Sequence, residues 1–248
     1  MPDFTDLRIK LFADGADLPT IRKLAAEPYI KGFTTNPTLM RKAAIQDYAE
    51  FARAFLAMVP DRPISFEVFS DEPDEMERQA LEIASWGPNV YVKIPVTNTR
   101  AEFTGATLRR LVQHGVQVNV TAILTVDQVQ RVAECLAPEV ASCVSVFAGR
   151  IADTGVDPIP IMAESVRIVE PLTRAEIIWA SPRELLNVVQ ADEVGCHIIT
   201  ATADVLGKLK LIGKDLTEFS LDTVKMFRDD AVSAGYSIVA RKSVEHAG

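Results

Sequence analysis

The stretch NVYVKIPVT, residues 89–97, is the segment around which the rest of the sequence can be interpreted. It places a lysine in the middle of a segment whose other residues favour burial. Its even positions, from Val90 to Val96, are all valine or isoleucine, whereas Lys93 shares its parity with Tyr91 and Pro95. A β-strand sends alternate side chains to opposite faces, so this pattern predicts a buried strand. Lys93 is then expected to point away from the valine face, into a second interior or a cleft.

A lysine on a buried strand has two interpretations. Burying an ammonium group costs several kcal/mol unless the group is paired or loses its proton. Lys93 could therefore be a structural residue that pairs with a carboxylate or lies at a sheet edge. It could also be an amine nucleophile that forms a Schiff base with a carbonyl substrate. The strand alone leaves both interpretations open.

The composition is that of a folded protein with a large core. The chain has 248 residues, of which 48% are hydrophobic and 24% are charged, a balance that excludes disordered and fibrous proteins. Its net charge of -8 and its pI near 5.0 provide no general field that attracts nucleic acid or anionic lipid. We therefore expect no nucleic-acid partner and no membrane partner.

Other residue patterns indicate the compartment and argue against a metal. Three cysteines without CxxC spacing, Cys135, Cys143 and Cys196, suit a reducing cytosol better than a disulfide framework. No apolar run approaches the ~18 residues that span a bilayer, and the N-terminal residues lack the apolar segment of a signal peptide. The three histidines are scattered, which argues against a zinc site. We expect a cytoplasmic protein.

Strand-like and helix-like segments alternate eight times along the chain. Such alternation predicts an α/β fold, a single (β/α)8 TIM barrel over residues 1–248, because helical crossovers make the strands parallel. An extra amphipathic helix is expected at about 221–233, and residues 241–248 are expected to fray. The strand-like runs are 7–14, 29–36, 63–69, 89–97, 115–123, 141–150, 176–181 and 196–202. The helix-like runs are 17–26, 45–59, 73–86, 99–113, 125–136, 157–169, 182–190 and 203–212.

One face of the predicted strands repeatedly carries polar groups near the strands' carboxyl ends. Catalytic groups lie at that end in characterised barrels of this type, so these side chains are expected to converge on one cavity. Each residue also has a purely structural interpretation. For example, Asn36 could make a turn with Pro37, Thr121 could be an ordinary strand residue, and Glu67 could be only an ion-pair partner of Lys93. One ion pair would not require the further amides and hydroxyls. The set is Asp14, Asn36, Glu67, Lys93, Asn119, Thr121 and Ser145, with Thr34 on the face of Asn36.

Five runs carry a resemblance to a known family. In chain order they are GFTTNPTLM (32–40), VKIPVT (92–97), NVTAILT (119–125), SVFAGRI (145–151) and WASPREL (179–185). They resemble the transaldolase family, in particular its short members and the related fructose-6-phosphate aldolases. The resemblance covers nearly the whole chain. It implies a class I Schiff-base barrel enzyme with its lysine on the fourth strand, which is where the strand pattern places Lys93.

The resemblance implies a role for each catalytic candidate. Lys93 is similar to the amine that attacks the C2 carbonyl of a ketose phosphate, and Asp14 to the general base for cleavage of the C3–C4 bond. Glu67 and Thr121 resemble the pair that holds a proton-shuttling water. No metal and no organic cofactor is implied. The resemblance also implies sugar phosphate substrates and a homo-oligomer, with the last helix as a candidate contact.

The substrate-binding candidates also follow from the resemblance. Asn36, Asn119 and Ser145 are similar to residues that bind hydroxyls of the dihydroxyacetone unit. Arg150 and Arg183 resemble a phosphate site, and their charges would supply the positive field that an acidic chain lacks. The full set is Thr34, Asn36, Asn119, Ser145, Phe147, Arg150, Ser181 and Arg183.

Two positions separate the branches of the family. Aldolases that release free dihydroxyacetone tend to carry glutamine in place of Glu67 and tyrosine in place of Phe147, so this pair resembles true transaldolases. Departures at Gly15, Ala16 and Pro182 leave the sugar length and the phosphate geometry open. A fructose-6-phosphate aldolase remains the alternative, and a non-catalytic phosphosugar-binding barrel is a further one. The expected activity is transfer of a dihydroxyacetone unit from fructose 6-phosphate or sedoheptulose 7-phosphate to an aldose phosphate.

Overall fold

Eight parallel strands close into a barrel in the computed structural model, which describes residues 4–238. The strands pair in chain order, and β1 pairs with β8 to complete the ring. This confirms the predicted (β/α)8 fold class. The strands are β1 (Lys10–Asp14), β2 (Ile30–Thr34), β3 (Ile64–Glu67), β4 (Val90–Pro95), β5 (Val118–Ile123), β6 (Ser142–Val146), β7 (Ala175–Trp179) and β8 (Ile198–Ala201).

Helices follow every strand. Several begin at side-chain caps: Asp17, Asn36 and Asp47 each accept a hydrogen bond from a backbone N–H of the first turn. The helices are α1 (Leu18–Ala25), α2 (Pro37–Lys42), α3 (Tyr48–Met58), α4 (Pro73–Ala84), α5 (Gly105–Gln113), α6 (Val126–Ala133), α7 (Ala148–Ala152), α8 (Ile159–Val169), α9 (Leu186–Glu193), α10 (Ala203–Leu206) and α11 (Leu216–Ser233).

Several predicted boundaries are wrong. The run 141–150 was predicted as one strand, but β6 ends at Val146 and helix α7 begins at Ala148. Helix α9 begins at Leu186 rather than at 182, and Ser181 has a φ of 62° instead of the extended conformation that is typical of a residue capping a helix. The predicted helix 203–212 divides into α10 and a 3-10 turn, Leu209–Leu211.

The predicted parity holds within the barrel. Val92 and Ile94 of β4 are fully buried on the face opposite to Lys93. The other parity fills the interior with a cluster of Phe12, Cys143, Ile178, Ala180 and Ile198, against which Tyr91 and Phe147 pack. Gly32 makes room for the Phe12 ring, since a Cβ at this position would lie 2.4 Å from its Cζ. The layer of the interior below Lys93, at the level of Tyr91, is therefore a packed core.

The chain divides into two units, of which Asp6–Leu209 contains the barrel and the smaller one contains α11. Helix α11 is capped by Asp215 and begins earlier than the predicted residue 221. It exposes large apolar side chains, among them Leu216, Val224 and Phe227. Within residues 4–238 no helix is long and apolar enough to cross a membrane. The predicted frayed segment 241–248 lies outside the described residues.

Candidate active site

Lys93 lies on β4 with its side chain almost completely enclosed. Only 6% of the residue is exposed, and its Nζ donates a hydrogen bond of 2.8 Å to the carbonyl oxygen of Thr35. Its Nζ is also 3.2 Å from Oε2 of Glu67, which stands beside it in register on β3. A buried ammonium is tolerated when it is paired and hydrogen-bonded, and this one has both partners.

Asp14 is the second carboxylate of the site. Its Oδ1 accepts a 2.7 Å hydrogen bond from Thr34 Oγ1, and its Oδ2 accepts a 3.2 Å hydrogen bond from Asn36 Nδ2. Burial raises the pKa of Asp14 above its ordinary value, an effect that the Lys93 charge and the Thr34 hydrogen bond oppose and the Glu67 charge reinforces. Asp14 is therefore a carboxylate with an increased affinity for a proton, which suits a general base.

Asn36 connects the site to the start of a helix. Its Oδ1 accepts from the backbone N–H of Leu39 and so caps α2, with Pro37 at the first helical position. Its Nδ2 is thereby turned towards Asp14. This geometry is compatible with both interpretations of Asn36, as part of a turn with Pro37 and as a residue of the site. Its amide oxygen caps the helix while its amide nitrogen contacts Asp14.

Ser145 and Asn119 form a buried polar chain that leads from the cavity into the barrel interior. Ser145 Oγ donates to Asn119 Oδ1 at 2.7 Å, and Asn119 Nδ2 donates to Ser65 Oγ at 3.0 Å. Ser145 lines the cavity, but Asn119 is 0% exposed and does not. Asn119 therefore lies one layer deeper than predicted.

Thr121 stands on β5 beside an irregularity of the strand. Its Oγ1 is buried and has no hydrogen-bond partner among the residues that the structure describes. Ala122, which follows, has a φ of 62°, and the pairing of β5 with β6 shifts register between Val120 and Ile123. A buried hydroxyl without a protein partner needs a ligand or water to satisfy it.

The rim of the cavity carries two arginines. The Arg150 guanidinium lies over the Phe147 ring, 5.8 Å from its centroid, and Arg183 forms an ion pair with Asp153. Gly149 of α7 lies against the segment that follows β7, because an ideal Cβ on it would lie only 1.6 Å from the carbonyl oxygen of Ser181. Only glycine permits such a close backbone approach.

A cavity of about 420 Å³ joins these groups at the carboxyl ends of the strands. Except for Asn119, every candidate from the sequence lines it. These residues are Asp14, Thr34, Asn36, Glu67, Lys93, Thr121, Ser145, Phe147, Arg150, Ser181 and Arg183.

Several further residues belong to the site and are not among the residues predicted from the sequence. Thr200 and Thr202 of the β8 region line the cavity, and the Thr200 hydroxyl lies 2.6 Å from that of Thr34. Tyr48 holds the Glu67 backbone: its hydroxyl accepts from the Glu67 N–H at 2.7 Å and donates to the carbonyl oxygen at 3.1 Å. Thr200 and Thr202 share one face of the strand-like run 196–202, which could have indicated polar groups at its carboxyl end, but threonine is also a common strand residue.

The fold and site together define the class: a TIM barrel enzyme with a buried lysine and two carboxylates at the carboxyl ends of its strands. Residues 11–238 match the family model described as Transaldolase/Fructose-6-phosphate aldolase. The chain belongs to this family, and it is an enzyme of the transaldolase type.

Individual relatives agree with this assignment. A protein of Thermoanaerobacter sp. (strain X514), named "Probable transaldolase", is 36% identical over 93% of this chain and 100% of its own length. One of the same name from Dehalococcoides mccartyi is 35% identical over 80% of this chain and 88% of its own. Among solved structures, the 4-hydroxy-tetrahydrodipicolinate synthase of Methylacidiphilum fumariolicum SolV superposes with a TM-score of 0.57. It covers 96% of this chain and 90% of its own, but at 12% identity it shows the fold alone.

Proposed function

We propose that this enzyme is a transaldolase that transfers a dihydroxyacetone unit from a ketose phosphate to an aldose phosphate through a Schiff base on Lys93. The donors we propose are fructose 6-phosphate and sedoheptulose 7-phosphate. The observation that carries the proposal is the enclosed Lys93 amine, which faces the same cavity as Glu67 and Asp14. A lysine that served only as an ion-pair partner would not need this open space.

Formation of the imine requires proton transfers beside Lys93. The neutral amine attacks the C2 carbonyl, and the carbinolamine then loses its hydroxyl as water. We propose that Glu67, 3.2 Å from Nζ, exchanges these protons through a water that also contacts Thr121 Oγ1. The unpaired buried hydroxyl of Thr121 supports this role, because a bound water would supply its missing partner.

Cleavage of the C3–C4 bond requires a base at the C4 hydroxyl. We assign this role to Asp14, which takes the hydroxyl proton while the bond electrons move into the imine and leave an enamine on Lys93. The aldose phosphate departs with C4 as its aldehyde carbon. The reverse sequence joins the enamine to an acceptor aldehyde, and Asp14 returns its proton to the new hydroxyl. The raised pKa of Asp14 supports both directions, since the residue must accept and return one proton.

The remaining polar groups are proposed to bind substrate. Thr34, Asn36 and Ser145 line the cavity close to the catalytic groups and are proposed to bind the dihydroxyacetone hydroxyls. Asn119 is proposed to act through Ser145, whose hydroxyl it holds at 2.7 Å.

The proposed phosphate site lies at the cavity rim. Arg150 and Arg183, with Ser181, would bind the phosphate by charge-assisted hydrogen bonds, which are roughly twice as strong as neutral ones. These two arginines are the cationic side chains that line the cavity besides Lys93. They provide local positive charge in a chain whose net charge is -8.

A fructose-6-phosphate aldolase is the second candidate, because the family includes both activities. Phe147 favours transaldolase: it lines the cavity without a hydroxyl that could assist hydrolysis of the imine. The hydroxyl of Tyr48, which lies close to Glu67, is hydrogen-bonded to the Glu67 backbone N–H and carbonyl oxygen.

The two activities are separated by the need for an acceptor. Release of glyceraldehyde 3-phosphate from fructose 6-phosphate is measured with and without erythrose 4-phosphate. We expect release to require the acceptor, and we expect Phe147→Tyr to increase the acceptor-independent rate. Equal release by the natural chain in both conditions would assign the aldolase activity instead.

We also propose a cytoplasmic homo-oligomer. Helix α11 exposes Phe219, Val224 and Phe227 along with other apolar side chains, and such surfaces usually mark an interface. The molar mass from light scattering tests this: a mass of one chain at micromolar concentration would contradict it.

A further inference from the structure

Thr200 begins a chain of hydroxyl groups that ends on Asp14. Its Oγ1 lies 2.6 Å from Oγ1 of Thr34, which lies 2.7 Å from Oδ1 of Asp14. Thr200 and Thr34 are both buried, with 7% and 3% of their surfaces exposed, and both line the cavity. The chain joins β8, β2 and β1, which are neighbours on the ring.

The protons of this chain have a fixed direction when Asp14 is ionised. A carboxylate can only accept hydrogen bonds, so the single hydroxyl proton of Thr34 must point to Asp14. The contact between the two threonines then requires Thr200 to donate and Thr34 to accept. A hydroxyl that accepts a hydrogen bond becomes a stronger donor, so Thr200 strengthens the bond that Asp14 receives.

We propose that Thr200 is a positioning residue for the reaction, which sets the orientation and the basicity of Asp14 through Thr34. The proposal rests on the proposed role of Asp14 as the base for C3–C4 cleavage. In the protonated form of Asp14 the chain can reverse, with the carboxyl donating to Thr34 and Thr34 to Thr200. The chain can therefore serve both forms of the carboxyl, but the charge-assisted bond to the ionised form is the stronger one, so Thr200 stabilises mainly the carboxylate.

Other charged groups also act on Asp14 and must stay unchanged in a test. Lys93 and Glu67 contribute charges from β4 and β3. Arg150 and Arg183 line the same cavity, and the adjoining cavity that Asp14 also borders is lined by Asp17, Lys42 and Asp204. Replacing Thr200 by valine removes one hydroxyl, nearly preserves the side-chain shape and alters none of these charges.

The experiment uses the full chain with Thr200→Val and Thr200→Ser, and with Thr107→Val as the matched control. Thr107 is a buried threonine of α5 that lies outside the cavity. The kcat for transfer from fructose 6-phosphate to erythrose 4-phosphate is measured against pH. Borohydride trapping of the substrate adduct on Lys93 is measured in parallel.

For Thr200→Val we expect the acidic limb of the kcat profile to move to higher pH, by a few tenths of a unit and up to about 1 unit. The plateau should fall about 2- to 12-fold. Thr200→Ser should restore both quantities, and Thr107→Val should leave the profile in place. Trapping on Lys93 should persist in all variants.

An unmoved acidic limb in Thr200→Val, with transfer and trapping intact in the natural chain, would overturn the proposal and leave the proposed function standing. A lower plateau without a shift would also overturn it, because this is the effect of altered packing alone. Absence of a Lys93 adduct in the natural chain would instead contradict the proposed function. The three results are therefore distinguishable.

Discussion

The Gly149→Ala substitution tests how the cavity rim is built. An ideal Cβ at this position would lie 1.6 Å from the backbone carbonyl oxygen of Ser181 and 3.3 Å from Nε of Arg183. Ordinary van der Waals contact begins at 3.4 Å, so the two backbones must separate by about 1.8 Å, the difference between 3.4 and 1.6 Å. The obstacle is backbone on both sides, so no side-chain rotation can relieve it.

This displacement should act on phosphate binding. Arg150 follows Gly149 by one residue and Arg183 follows Ser181 by two, so moving α7 away from the segment after β7 separates the two proposed phosphate ligands. A misplacement of about 1 Å can cost 10²-fold in an organised site, which corresponds to about 2.7 kcal/mol. We therefore expect Gly149→Ala to raise the KM for fructose 6-phosphate by at least about 10-fold and up to about 100-fold.

The assay compares a phosphorylated donor with a phosphate-free one. Steady-state kinetics with fructose 6-phosphate and with fructose give the ratio of the two kcat/KM values, and this ratio should fall in Gly149→Ala. Gly207→Ala is the control, since its Cβ meets no atom closer than 3.2 Å. Thermal unfolding of both variants shows whether the chain remains folded. If folded Gly149→Ala kept the natural ratio, the rim would not be the phosphate site and the reasoning would be refuted.

Three further predictions follow from single residues. Arg150→Met should raise the KM for fructose 6-phosphate about 10- to 100-fold with little change in kcat, because it removes a proposed phosphate ligand. The control Arg167→Met, on α8, should leave the KM unchanged, and equal effects of the two substitutions would contradict a local phosphate contact. Because the folded state raises the pKa of Asp14 above 3.8, the stability that Asp14 contributes is present below that pH and is lost as pH rises through the raised value. The Tm of Asp14→Asn relative to the natural chain should therefore be higher at pH 7 than at pH 4, and a constant difference would exclude the raised pKa. Ala122→Gly should increase the free energy of unfolding by about 0.5–1 kcal/mol, because glycine adopts a φ of 62° without strain. The control Ala106→Gly, within α5, should lower the free energy of unfolding by about 1 kcal/mol. Urea unfolding measures both changes and shows whether they have opposite signs.

The barrel was predictable because its evidence is local. Strand and helix periods alternate along the chain, and the parity within each strand identifies the face that turns inward. The convergence of Asp14, Glu67 and Lys93 on one cavity follows from the same parity, since all three lie near the carboxyl ends of parallel strands.

Depth within the barrel was not predictable from parity. Asn119 and Thr121 share one face of β5, but they are two residues apart and occupy successive layers. Asn119 therefore lies beneath the cavity while Thr121 lines it. Parity identifies which way a side chain points, but not how far along the barrel axis the open space reaches.

Contacts between segments that are distant along the chain could not be predicted from the sequence either. The hydrogen bond between Thr34 and Thr200 joins residues 166 positions apart, and each threonine alone is an ordinary strand residue. Helix α7 was missed for a related reason. Its five residues extend a strand-like run, and the close approach of Gly149 to Ser181 exists only in the folded chain.

The most direct test of the account is borohydride reduction of the enzyme in the presence of fructose 6-phosphate, followed by peptide mass mapping. We predict a dihydroxyacetone adduct, reduced at its imine, on the peptide that contains Lys93. The adduct should be absent in Lys93→Met and retained in Lys31→Met, whose lysine is exposed. With Asp14→Asn the same peptide should carry the uncleaved ketose phosphate. An adduct on a different lysine, or activity retained by Lys93→Met, would contradict the central claim that Lys93 is the nucleophile.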